Sequence, residues 1–209
     1  MSEAKRIYLF KRFERIWHWS QAVLIILMML TGFEIHGLYS LFGFAKAVDI
    51  HSTSAWILMV LWVLSIFWHF TTGEFRHYLP SMKGVIPQVQ YYLVGIFSGA
   101  EKPFHATEQA KHNPLQRLAY LGVSAFLLPL VWISGLGYLF YNELADSWLQ
   151  SLGLGLSEIA LIHTVAAFLV LIFLVAHLYL ITTGKTVGQH TRSMITGWEE
   201  VSEEESIKN

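Results

Sequence analysis

The chain has 209 residues, 54% hydrophobic, 15% aromatic and 14% charged, with a mean hydropathy of +0.46 and a formal net charge of −1. This is too apolar for an ordinary soluble domain and reads as a membrane protein. There is no cysteine, which excludes disulfides, covalent c-type haem attachment and any iron–sulfur cluster held by this chain alone.

Four runs without Asp, Glu, Lys or Arg organise the rest: Ile16 to Phe33, Ile50 to Gly73, Leu118 to Asn142 and Ile159 to Gly184. Each is long enough to cross a bilayer as a helix, so an all-α bundle of four spans is expected. Their extents are about 16–37, 50–72, 115–141 and 157–184 of a single membrane domain covering 1–209. No cleavable signal peptide is expected, because a run longer than a signal core follows Lys5, Arg6, Lys11, Arg12 and Arg15.

In chain order, Ile16-Trp17-His18-Trp19 opens the first span, and Gly32 leaves room for a flat ligand or another helix. Glu34 and His36 read as outer-interface residues. The second span carries His51 near its start and Trp68-His69-Phe70 near its end. The long connection 73–114 contains an apolar piece, Val85 to Phe97, too short to span and suited to an interfacial amphipathic helix. Asn113-Pro114-Leu115-Gln116-Arg117 leads into the third span, where Pro129 predicts a kink and Gly135 and Gly137 open space. Trp148, Gly153 and Gly155 lie in the loop before the fourth span. Residues 198–209 form an increasingly acidic tail, expected to fray at its end.

The basic residues are segregated. Five precede the first span; Arg76, Lys83, Lys102, Lys111 and Arg117 lie between the second and third; Lys185, Arg192 and Lys208 follow the fourth; only Lys46 falls outside this grouping. The loop between the third and fourth spans has Glu143, Asp146 and Glu158 but no basic residue. The positive-inside rule therefore puts both termini in the cytoplasm.

The fourth span carries His163 and His177, fourteen residues apart with almost nothing polar between them. On a helix that is four turns less about 40°, with the rings roughly 21 Å apart along the axis. One histidine then falls in each leaflet. His51 shares the outer level with His163, and His18 shares the inner level with His177. Such a set suits bis-imidazole ligation of two b-type haems in a four-helix bundle. His69 competes with His18, since eighteen residues put it on the same helix face as His51. His77, His105, His112 and His190 fall in loops or tail, where solvated or interfacial roles are the default. Zinc would need its ligands gathered at one point, and a proton relay would be better served by acidic residues in mid-span.

The sequence resembles the membrane cytochrome b subunits of respiratory oxidoreductases: the gamma subunit of formate dehydrogenase, the membrane subunit of thiosulfate reductase and the nickel–iron hydrogenase cytochromes b. The resemblance rests on Arg15-Ile16-Trp17-His18-Trp19, His51, Asn113-Pro114-Leu115-Gln116, Leu161-Ile162-His163 and His177-Leu178-Tyr179, and covers nearly the whole chain. It implies that His51 and His163 ligate an outer haem b, and that His18, rather than His69, joins His177 at an inner one. It further implies a quinone, menaquinone or ubiquinone, near Asn113, although Leu115 stands where those relatives have glycine. Asn113-Pro114 alone is equally a helix cap. Arg15, one turn before His18, suits a haem propionate or an interfacial anchor.

The function implied is an electron-transfer anchor in a bacterial inner membrane, linking an outward-facing iron–sulfur or multihaem c-type redox subunit to the quinone pool near the cytoplasmic face. Substrate chemistry would belong to the partner. Membrane lipid and quinone are expected partners, and nucleic acid is not. The alternatives are a stand-alone cytochrome b561-like quinone oxidoreductase acting on a small oxidant, and a haem-free anchor or transporter.

Overall fold

The computed structural model describes residues 5–107, 110–144, 153–184 and 186–201; Trp148 and the acidic tail from 202 onward lie outside them. Four helices are long and apolar enough to cross a membrane: Arg12–Ile35 (α1), Phe44–Thr72 (α2), Pro114–Leu139 and Leu156–Ile181. The chain forms two compact units, one of residues 1–119 with 180–209 and one of residues 120–179.

The first unit is built on the α1–α2 hairpin. α1 starts a turn before the apolar run because the Glu14 carboxylate reaches back to accept the Lys11 backbone N–H at 2.7 Å. α2 likewise starts six residues ahead of Ile50. One Glu34 oxygen accepts the N–H groups of Leu41, Phe42 and Gly43, each at 2.7 Å, supplying acceptors just where a new helix needs them. Glu34 is therefore a buried loop organiser. Gly73, with φ +78°, ends α2 in the left-handed conformation.

Along α2 the buried residues are Ala47, Ser54, Leu58, Ser65 and His69. Their spacing of seven and four defines one stripe, and its small members let α1 approach closely. His51 lies on this same stripe. Phe13 stacks on Trp68 with ring centres 4.6 Å apart at the other end of the hairpin. Elsewhere Ile16, Val23, Phe67 and Phe70 are exposed, as expected where lipid is the solvent.

After a 3-10 turn at Glu74–Tyr78, the connection is helical over Val85–Gln90 (α3), widens into a π turn at Tyr91–Gly95 and resumes at Ile96–Ser98 (α4). The third membrane-length helix has three parts: Pro114–Gly122 (α5), a π turn at Val123–Leu127, and Leu128–Leu139 (α6). The widened turn comes just before Pro129, whose ring has no N–H to give and crowds the preceding turn. A short helix, Tyr141–Leu144 (α7), follows, and the fourth membrane-length helix, Leu156–Ile181, is α8. In the second unit, a Cβ on Gly137 would stand 3.6 Å from Ile159, an ordinary contact distance, so α6 and α8 pack side by side here.

The first and last described segments pair with each other. Lys5–Tyr8 (β1) pairs antiparallel with Trp198–Val201 (β2), Lys5 opposite Val201 and Tyr8 opposite Trp198. Helix Gln189–Thr196 (α9) turns into β2 at Gly197, φ +88°. There a Cβ would come within 2.6 Å of Tyr8 and 2.7 Å of the Phe10 carbonyl oxygen. The sequence pattern did not reveal this strand pair, because each strand is four residues long and its partner lies at the opposite end of the chain.

Candidate functional site

His51 is half-buried, and its Nδ1 lies 3.1 Å from the Met28 carbonyl oxygen and 3.1 Å from Thr31 Oγ1, both on α1. A carbonyl oxygen only accepts, so Nδ1 carries the proton and Nε2 is the nitrogen with a lone pair for a metal. His163 on α8 has the same geometry. Its Nδ1 is 3.0 Å from the Val131 carbonyl oxygen and 3.2 Å from Ser134 Oγ on α6. These are imidazoles fixed in tautomer and direction from behind, the usual preparation of a histidine ligand.

The other in-span histidines are placed differently. His18 is half-buried beside Trp19, edge to face with ring centres 5.2 Å apart. His177 is half-buried, with Phe173 one turn earlier stacked on it at 6.1 Å and 18°. His69 is buried, donates from Nδ1 to the Ser65 carbonyl oxygen at 2.7 Å, and is walled by the edges of Trp17, Trp68 and Tyr78. Its Nε2 is buried with no hydrogen-bond partner among the described residues. His36 is exposed.

Arg15 donates from Nη1 to the Ile195 carbonyl oxygen at 2.6 Å, and Trp19 Nε1 donates to that of Met194 at 3.2 Å. A cation and an indole of α1 thus grip the last carbonyls of α9, where acceptors are left over and the helix dipole favours positive charge.

Asn113 is buried and caps α5. Its Oδ1 accepts the Gln116 N–H at 2.8 Å while Gln116 Oε1 accepts the Asn113 N–H at 3.0 Å. Asn113 Nδ2 donates to the Tyr92 hydroxyl at 3.0 Å. Burial pushes the Tyr92 phenol above its ordinary value, against the lowering effect of that bond.

Next to the cap lies a charged cluster that the sequence did not disclose. Lys111 Nζ is 2.9 Å from both Glu14 oxygens and 2.7 Å from Glu74 Oε2, all three side chains being buried. Lys11 Nζ is 2.5 Å from the other Glu74 oxygen, and His77 Nε2 is 3.4 Å from Glu74 Oε2. Burial pushes the Glu74 carboxyl up, but Lys11 and Lys111 outweigh it and hold the group at about 2. His112 is pushed down to about 3, first by burial and then by Lys111, His77, Arg117 and His69. The partners come from positions 11–14, 74–77 and 111–112, and only the fold unites them. Glu14, three residues after Lys11 at a helix start, was the one visible signal.

The donor set bears on which cofactor could be held. Among the described residues no group of three or more His, Cys, Asp and Glu is arranged to hold a metal ion. The histidines come singly, His51, His69 and His163 each fixed through Nδ1 by a backbone carbonyl, which fits axial haem ligation and not a closed zinc site.

Comparison with known proteins agrees. The chain is 33% identical over 205 residues, 93% of its length and 75% of the relative's, to YdhU of Escherichia coli (strain K12), a protein named as a cytochrome. It is 27% identical over 217 residues, 93% of its length and 89% of the relative's, to a protein of Rhizobium leguminosarum bv. viciae named as a Ni/Fe-hydrogenase B-type cytochrome subunit. The profile of the prokaryotic cytochrome b561 family matches residues 9–197, all four membrane-length helices included, and the chain belongs to that family.

Proposed function

We propose that the protein is a di-haem cytochrome b that carries electrons between an outward-facing redox subunit and membrane quinone, with both termini in the cytoplasm. The observation that carries this reading is the pair His51 and His163, each held through Nδ1 by a backbone carbonyl of the preceding span in a chain of the cytochrome b561 family. Haem b, when bound, supplies a one-electron ferric–ferrous couple. His51 and His163 present Nε2 to the outer haem, and His18 and His177 serve the inner one, as depth along the spans and the family resemblance indicate.

Asn113 orients quinone at the inner side. Its Oδ1 is committed to the helix cap and one Nδ2 hydrogen to Tyr92, which leaves the second Nδ2 hydrogen for a quinone carbonyl. Arg15 spends one of five donors on Ile195 and has others for a haem propionate. The Rhizobium relative, named as a hydrogenase subunit, supports a place in a complex whose other members carry the substrate chemistry.

Reduced-minus-oxidised spectra with haem quantification test the reading, and two haems b per chain are expected. A folded, colourless preparation would refute it. His163→Ala should remove one haem and spare the other. Loss of a haem in His69→Ala but not in His18→Ala would reassign the inner ligand. Quinol-dependent haem reduction by the isolated chain, with no redox subunit co-purifying, would instead favour a stand-alone oxidoreductase.

A further inference from the structure

The two histidine seats repeat one another atom for atom within their separate units. Thr31 Oγ1 donates to the Leu27 carbonyl oxygen at 2.9 Å, with that of Met28 at 3.2 Å. Ser134 Oγ donates to the Leu130 carbonyl oxygen at 2.6 Å, with that of Val131 at 3.1 Å. In both cases the hydroxyl hydrogen is committed to its own helix, so the oxygen is left to accept from the imidazole Nδ1–H. In both cases the carbonyl three residues earlier shares that N–H. In both cases a glycine follows the hydroxyl residue and lies against the ring. A Cβ on Gly32 would stand 3.5 Å from His51 Cε1, and one on Gly135 would stand 2.9 Å from His163 Cε1.

From this match we infer that Thr31 and Ser134 are paired positioning residues that set the redox potential of one haem through its two axial histidines, without touching the haem themselves. The inference rests on the proposed ligation of a single haem by His51 and His163. An acceptor behind Nδ1–H increases the electron density of the ligating nitrogen and favours the oxidised metal. Removing one of the two acceptors on either side lowers the ligand's basicity, and the potential rises. Gly135 makes the His163 seat possible, since a Cβ there would press into the ring, whereas one on Gly32 would only touch His51.

The test is an optical redox titration of the purified, haem-loaded protein and of Thr31→Val and Ser134→Ala. Both variants should keep the wild-type haem content, and both should move the same one of two midpoint components upward, leaving the other in place. Thr31→Ser and Ser134→Thr, which restore a hydroxyl, should return the component to its original value. Full haem content with both midpoints unmoved overturns the inference, as does a shift of different components by the two variants. If Thr31→Val does not accumulate, Ser134→Ala with its hydroxyl-restoring partner decides alone. Absence of haem from the wild type would instead overturn the ligation reading itself, so the two failures are distinguishable.

Discussion

The two ends of the α1–α2 hairpin hold polar groups in an apolar setting by opposite means. At the His51 end the polar side chain is neutral and satisfied by a backbone carbonyl and a threonine hydroxyl, both offered by one neighbouring helix. At the other end formal charges are buried and neutralised by each other, with Lys111 set between Glu14 and Glu74. The neutral end costs little if one contact is lost, because the carbonyl remains. The charged end costs a great deal, because removing any member strands the opposite charge in a dry place. One end is built for adjustable chemistry and the other for holding three distant chain segments together.

The largest expected effect follows directly. Lys111→Met leaves two buried carboxylates without their shared cation and should destabilise the fold by about 3–5 kcal/mol, read as a lower Tm in detergent. An unchanged Tm would show that the cluster holds nothing together. Gly135→Ala at the matching seat of His163 and Gly32→Ala at the neutral end of the hairpin probe the histidine contacts instead. The first places a methyl 2.9 Å from the His163 ring and should lower haem content clearly, whereas the second, at 3.5 Å from His51, should lower it little or not at all. Equal losses would mean that the two seats do not differ in tightness.

Acid should loosen the charged end first. His112 is held down to about 3 by burial and neighbouring cations, against 6.5 for an ordinary histidine. Between those values the unfolded chain binds the extra proton, so this contribution is complete above about 6.5 and declines as pH falls below it. Glu74, held at about 2 against an ordinary 4.5 by Lys11 and Lys111 over the opposing effect of burial, adds a second loss below about 4.5. Tm should therefore fall from pH 7 to pH 4, and His112→Gln should flatten the upper part of that fall. The smallest effect belongs to Arg6→Ala. Its pair with Glu200 at 3.1 Å is exposed on both sides, and its loss should change stability by less than about 1 kcal/mol.

Much of the architecture is legible in the residues. Four apolar runs become four membrane-length helices because backbone groups in lipid can be satisfied only within the segment. Their starts are less legible. α1 and α2 extend upstream of their apolar runs because carboxylates at Glu14 and Glu34 satisfy helix-start donors, an effect hydropathy does not register. The in-span histidines stand out in sequence because imidazoles are rare in hydrocarbon. Thr31 and Ser134 do not, because a single hydroxyl in an apolar helix ordinarily bonds its own turn.

The sequence by itself determined the membrane class, the four spans, the candidate ligands and the family, since these depend on composition, period and local motif. Only the tertiary structure decided which polar groups meet. Lys111 finds Glu14 across 97 positions of chain, Arg15 finds Ile195 across 180, and His51 and His163 each find a hydroxyl and a carbonyl on the preceding span. Local periodicity places a residue on a helix face. What that face meets depends on how segments far apart in the chain are packed.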